Sequence, residues 1–127
     1  MHEIIIPIQT LGGDTLYQID SIAASKNRSR YSILRDILYS HYDYIPIEDI
    51  DIWYKKEVKM NCIVSKNYIV VMLEPGFEQI YNRDYQAYTK NMTDEDRYRE
   101  LVYNTHIENI VRSYLDRHVS NITEQNK

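Results

Sequence analysis

Ile45-Pro46-Ile47-Glu48-Asp49-Ile50-Asp51-Ile52-Trp53-Tyr54 is the stretch on which the fold turns. Pro46 pushes the residue before it out of the helical region, so a helix arriving from the N-terminal side stops near Tyr44. Beyond the proline, Ile50, Ile52 and Tyr54 alternate with Asp51 and Trp53, and the run ends at Lys55-Lys56. Period two over these residues predicts a β-strand with Ile52 inside and Trp53 on the outer sheet face.

Moving towards the N-terminus, Ile33, Leu34, Ile37, Leu38 and Tyr42 follow a helical period, which predicts a helix over about 29–42 with Asn27 or Ser29 as its cap. Glu3 to Thr10 alternates, Leu11-Gly12-Gly13-Asp14 is a turn signal, and Thr15 to Ile22 resumes with Tyr17 and Ile19 on one face. Two alternating runs around a Gly-Gly turn predict a β-hairpin. Moving towards the C-terminus, Glu57 to Ser65 is a weaker strand candidate and Lys66-Asn67 a turn. Tyr68-Ile69-Val70-Val71-Met72-Leu73 is apolar and β-branched, as a strand covered on both faces would be.

After Glu74-Pro75-Gly76 the period changes to about 3.6. Phe77, Ile80, Tyr81, Tyr85, Tyr88 and Met92 form one helical stripe. Thr93 caps a second helix whose apolar positions are Tyr98, Leu101 and Val102. Thr105-His106-Ile107-Glu108 repeats the capping pattern, so a break is expected near Asn104, and Ile107, Ile110, Val111, Tyr114 and Leu115 continue the stripe. The chain therefore divides into 1–75 and a helical extension, 76–127.

The order hairpin, helix, strand, short strand, long strand resembles the β-grasp of ubiquitin-like domains. The helix followed by Ile45-Pro46, an acidic turn and an apolar strand carries the resemblance, which covers about residues 3–75. It implies an α+β fold: a mixed sheet crossed by one helix, with Glu3–Thr10 and Tyr68–Leu73 as parallel neighbours, then two or three C-terminal helices. It also implies protein binding through the outer sheet face. Pro75-Gly76 leads into helices in place of a diglycine tail, so conjugation to a lysine is not expected.

Composition limits the function classes. The 127 residues carry a formal net charge of −4, against a broadly basic nucleic-acid surface. A single cysteine, Cys62, excludes an intrachain disulfide and a cysteine-built zinc site; in its strand it is expected to be half-buried. His2, His41, His106 and His118 show no ligand spacing, so neither metal nor cofactor is expected. No apolar run approaches the roughly 20 residues of a membrane span. The start, Met1 to Pro7, lacks the features of a signal peptide, which points to a cytoplasmic protein. Abundant Ile, Tyr, Asn and Lys hint at an AT-rich viral, phage or microbial source.

No triad, dyad or metal set can be assembled, so a non-enzymatic protein-interaction module is expected, one that binds a host factor if the source is viral or phage. Trp53, Val70 and Met72, with Lys55 at the rim, are the candidate contact residues, because the resemblance places them on one outer face and tryptophan is enriched at interface hot spots. Two readings of that face stay open: it meets a partner, or the Tyr-rich helices after Gly76 cover it. Those helices pack on the domain or build a homodimer. Lys26, Arg28, Arg30 and Arg35 form a second candidate, a patch for an anion or acidic partner. The alternative function, a nucleic-acid-associated protein, would use this patch.

Overall fold

The computed structural model describes residues 2–47, 51–63 and 66–125, with side chains between 3 and 118 apart from those of 51 and 52. Among the described residues there are seven helices and one two-stranded sheet. They run β1 (His2–Pro7), α1 (Ile8–Leu11), α2 (Gly13–Lys26), α3 (Arg30–His41), α4 (Asp51–Ile63), β2 (Tyr68–Leu73), α5 (Pro75–Thr89), α6 (Asp94–Tyr103) and α7 (Thr105–Gln125). The protein is mostly helical, which overturns the α+β β-grasp expected from the sequence.

Two segments account for the difference. Gly13–Lys26 is α2, not the second arm of a hairpin: its buried residues Thr15, Ile19, Ile22 and Ala23 fall on one helical face, and Tyr17, half of the apparent alternation, is exposed. Gly12, at φ 83°, ends α1 and leads into α2, a backbone angle open to glycine. Asp51–Ile63 is α4, not a pair of strands. Trp53 and Glu57, four residues apart, are its buried positions, and Lys55, Lys56, Lys59 and Met60 between and after them are good helix formers. Ile45 and Ile47, which carried the ubiquitin-like resemblance, are exposed, and Glu48, Asp49 and Ile50 lie outside the described residues.

β1 and β2 are neighbours as expected but antiparallel, in register from His2↔Leu73 to Pro7↔Tyr68. Ile8 N–H donates to Asn67 C=O at 2.8 Å and extends the ladder by one rung. Ile4, Ile6, Ile69, Val71 and Leu73 face the main core, where they meet Ile33, Leu34, Ile37 and Leu38 of α3. α3 packs against β2, α2 and α7. Phe77 and Tyr81 of α5 and Ile107, Ile110, Val111 and Leu115 of α7 belong to the same cluster, so residues on both sides of Gly76 share one core. Ile8, just after β1, is only partly buried, and Ile52, expected to point inside, lies outside the described side chains.

The helix ends follow their local chemistry. Ser29 caps α3 by accepting from Ser32 N–H at 3.1 Å, and Asn27, left-handed at φ 54°, closes α2. Pro75 opens α5 at its first turn, where no N–H is needed. Thr93 caps α6, and left-handed Asn104 separates it from α7.

Candidate functional site

The expected contact face is inside the protein. Trp53 is 5% exposed and Val70 and Met72 are 1% each, while Lys55 is at the surface. Val70 and Met72 lie on the sheet face opposite the main core, and α4 packs on β2. No open apolar patch forms from these three residues.

The same helix closes the outer edge of β2. In an antiparallel pair, alternate residues turn their N–H and C=O away from the partner strand, and on β2 these are Val70 and Met72. Asn61 accepts from Val70 N–H at 2.8 Å and donates to Val70 C=O at 2.9 Å. Glu57 Oε2 accepts from Met72 N–H at 2.9 Å, and Arg35 Nη1 donates to Met72 C=O at 3.1 Å. Arg35 and Glu57 are themselves paired at 2.6 Å, with side-chain exposures of 1% and 0%. Three side chains thus occupy the positions a third strand would take.

The expected basic patch is neutralised in the same region. Arg28 bonds the Asp36 carboxylate and the Ser32 hydroxyl. Arg30 grips Asp20 through Nε at 2.9 Å and Nη2 at 2.5 Å, and that hydrogen bond raises its pKa further. Arg35 is buried against Glu57, and Lys26 alone of the four is exposed with no carboxylate partner among the described residues. A row of phosphates would have to displace three carboxylates, which weakens the nucleic-acid reading.

Two other places were not legible in the sequence. One is the uncovered half of the second sheet face. By the same alternation, β1 turns the N–H and C=O of Glu3 and Ile5 outward, and no described residue pairs with them. Ile5, Pro7 and Tyr68 line a groove of about 470 Å³ with Leu101 and Val102 of α6, and Tyr85, Glu100 and Asn104 add polar groups to its wall. Leu101 is 77% exposed and Ile5 50%, and Tyr98, Val102, Tyr103 and Tyr68 are exposed as well. The apolar positions of α6 are therefore on its outside. Its buried residue is Glu100, whose carboxylate accepts from Thr105 and His106 N–H, both at 3.1 Å, and so caps α7.

The second place is a cleft of about 350 Å³ between the α3 N-terminus and α4, lined by Asn27, Arg28, Ser29, Ser32, Arg35, Tyr54 and Glu57. Arg35 Nε and Nη2 and Glu57 Oε1 have no hydrogen-bond partner there.

A titratable cluster joins three helical segments. Asp84 Oδ2 accepts from the Tyr42 hydroxyl at 2.5 Å and meets His106 Nε2 at 2.9 Å. The Tyr42 hydrogen bond, then His106, hold the Asp84 carboxyl below its ordinary range, while burial, then Asp84, push the Tyr42 phenol up. An aromatic ladder, Phe77, Tyr81, Tyr85 and Tyr88, leads along α5 to His106, which stacks on Tyr88 at 4.5 Å. Cys62, expected to be half-buried, is exposed. Among the described residues no group of His, Cys, Asp and Glu could hold a metal ion, and no helix is long and apolar enough to cross a membrane.

Comparison with protein-family models, curated proteins and solved structures finds no match to this chain.

Proposed function

We propose that the chain is a protein-interaction module that binds an extended segment of a partner along β1. One contrast carries this reading: the β2 edge is closed by Glu57, Asn61 and Arg35, whereas the β1 edge is open beside an exposed apolar groove. Natural sheets usually blunt a free edge with charge, proline or a covering element. Here Glu3 and Pro7 mark its two ends, and Ile5 between them is apolar.

The chemistry of the partner follows. An added strand would exchange main-chain hydrogen bonds with Glu3 and Ile5, a mode in which backbone pairing supplies affinity and alternate side chains supply specificity. An apolar residue would enter the groove over Ile5, and a basic residue opposite Glu3 would suit a chain of net charge −4. Pro7 has no N–H to offer, which limits the register.

A random-peptide display library panned on the full chain tests this. Selected peptides should pair an apolar residue with a basic one two positions away. N-methylation of their backbone at alternate positions should weaken binding by about tenfold or more, and Ile5→Lys should do the same without loss of the circular dichroism signal. Binders insensitive to both changes, or a library that yields none, would overturn the proposal.

A further inference from the structure

The open edge of β1 is complementary to itself. Its outward N–H and C=O groups belong to Glu3 and Ile5, with Glu3 at the surface and Ile5 50% exposed. An antiparallel neighbour meets such groups only where its own outward residues fall opposite them, as a pair that exchanges two hydrogen bonds. Two-fold pairing of two β1 strands with the axis at Ile4 sets Glu3 opposite Ile5 of the second copy, and Ile5 opposite its Glu3. All four outward groups of each chain are then satisfied. With the axis at Ile5, Glu3 would face Pro7 of the second copy, which has no N–H for the Glu3 carbonyl. With the axis at Glu3, two carboxylates would stand directly opposite each other. An axis between residues would set outward groups against inward ones. One register alone fits.

We infer that β1 pairs with β1 of a second copy in this register, giving one four-stranded sheet in the order β2, β1, β1, β2. The inference rests on the reading of β1 as a strand-adding edge and names what occupies that edge when no other partner is bound. Closure supports it. Both outer edges of the joined sheet are β2 edges, already filled by Glu57, Asn61 and Arg35, so the contact ends at two copies and builds no fibre. At the axis Ile4 meets its own copy in the closer, non-hydrogen-bonded kind of pair. Glu3 lies beside the aliphatic Ile5 of the second copy. The grooves beside Ile5, with exposed Leu101 and Val102 on α6, come to the same side of the joined sheet. A foreign segment has to displace the second copy to reach Glu3 and Ile5, so the concentration of the chain itself regulates the site.

Sedimentation equilibrium of the full chain from about 5 to 500 µM, joined to a cross-linking test of register, decides the matter. The chain should show a monomer–dimer equilibrium with Kd at or below about 100 µM. Ile5→Pro removes an outward N–H that β2 does not use, in the same phase as the existing Pro7, and should weaken the dimer by about tenfold or more with the circular dichroism signal kept. In a Cys62→Ser background, Glu3→Cys and Ile5→Cys chains oxidised together with oxidised glutathione should form several times more disulfide dimer than either alone, because opposite residues of a hydrogen-bonded pair are about 5.5 Å apart at Cα. Ile5→Lys, which should weaken peptide binding, sets a lysine beside Glu3 of the second copy and should leave self-pairing intact or tighter. A chain that stays monomeric at about 500 µM would overturn the proposal; if it still selects strand-forming peptides, the reading of the edge stands without self-pairing. A dimer indifferent to Ile5→Pro, or cross-linking no greater in the mixture, would overturn it as well. A dimer with the expected cross-link from which no peptide is selected would support self-pairing and remove the foreign partner.

Discussion

Asn61 and Val70 exchange two hydrogen bonds, carboxamide to peptide, across 2.8 and 2.9 Å. A carboxamide carries the same donor and acceptor as a peptide unit, so one side chain on a helix replaces one residue of a strand. Glu57, one turn earlier on α4, and Arg35 on α3 do the same for Met72. Asn61→Ala should therefore strand the Val70 N–H and C=O together and cost about 1–3 kcal/mol for each buried group that water cannot reach. Hydrogen exchange reads this locally: the Val70 amide should lose protection while that of Val71, bonded to β1, keeps most of its own. Equal protection of Val70 in both proteins would show that Asn61 does not close the edge.

The Arg35–Glu57 pair should behave asymmetrically. Arg35→Met alone leaves a buried carboxylate without its counter-ion and should cost about 3–5 kcal/mol in a denaturant titration. Replacing both, with Glu57→Leu added, should recover part of that loss and no more, because Met72 N–H and C=O then lose their partners. A double variant as unstable as the sum of the two singles would mean that the partners are not coupled.

Trp53 should act as a core residue. Its burial against the second face of β2 predicts that Trp53→Ala lowers stability by about 3–5 kcal/mol. A loss below about 1 kcal/mol on chemical unfolding would place the side chain at the surface.

Acid should loosen the junction of Tyr42, Asp84 and His106. The Asp84 carboxyl is depressed in the folded chain, chiefly by the Tyr42 hydroxyl and then by His106. A depressed carboxyl contributes stability that is present above its unfolded pKa, near 3.8, and that is lost as pH falls through its lower folded value. Asp84→Asn should accordingly lower Tm at neutral pH and flatten the fall in Tm below about pH 4. An unchanged acid limb in the variant would remove Asp84 from the linkage.

Part of the architecture could be read from the residues alone because one period dominated. β2 was evident from six consecutive apolar positions, with β-branched Ile69, Val70 and Val71 at their centre, α3 from Ile33, Leu34, Ile37 and Leu38, and α7 from Ile107, Ile110, Val111 and Leu115. The misread segments offered two periods at once. Ile50, Ile52 and Tyr54 alternate, but the later positions that decide the issue, Glu57 and Asn61, are polar, and a scan for apolar spacing passes over them. They face inward because β2 presents them with peptide groups instead of side chains. The same blindness hid the cleft, since burial of Arg35 contradicts the ordinary preference of arginine for water and only its pairing with Glu57 permits it. Leu101 and Val102, apolar positions of α6, lie on its outside, and Glu100 takes the buried position to cap α7.

The register that joins His2 to Leu73 also has a cost in time. β1 leaves the ribosome well before β2, and at about 5–20 residues per second the Ile4-Ile5-Ile6 run waits several seconds for its partner strand. During that interval a short, uncharged, β-prone triplet is available to other nascent chains. Helices α2 and α3 rest on contacts closer in sequence than the β1–β2 pairing, and contacts of that kind close sooner; Ile19, Ile33 and Ile37 on them share the core. Ile4 and Ile6 of β1 end in the same core as these residues, so the apolar surface that the two helices contribute is already translated before Leu73.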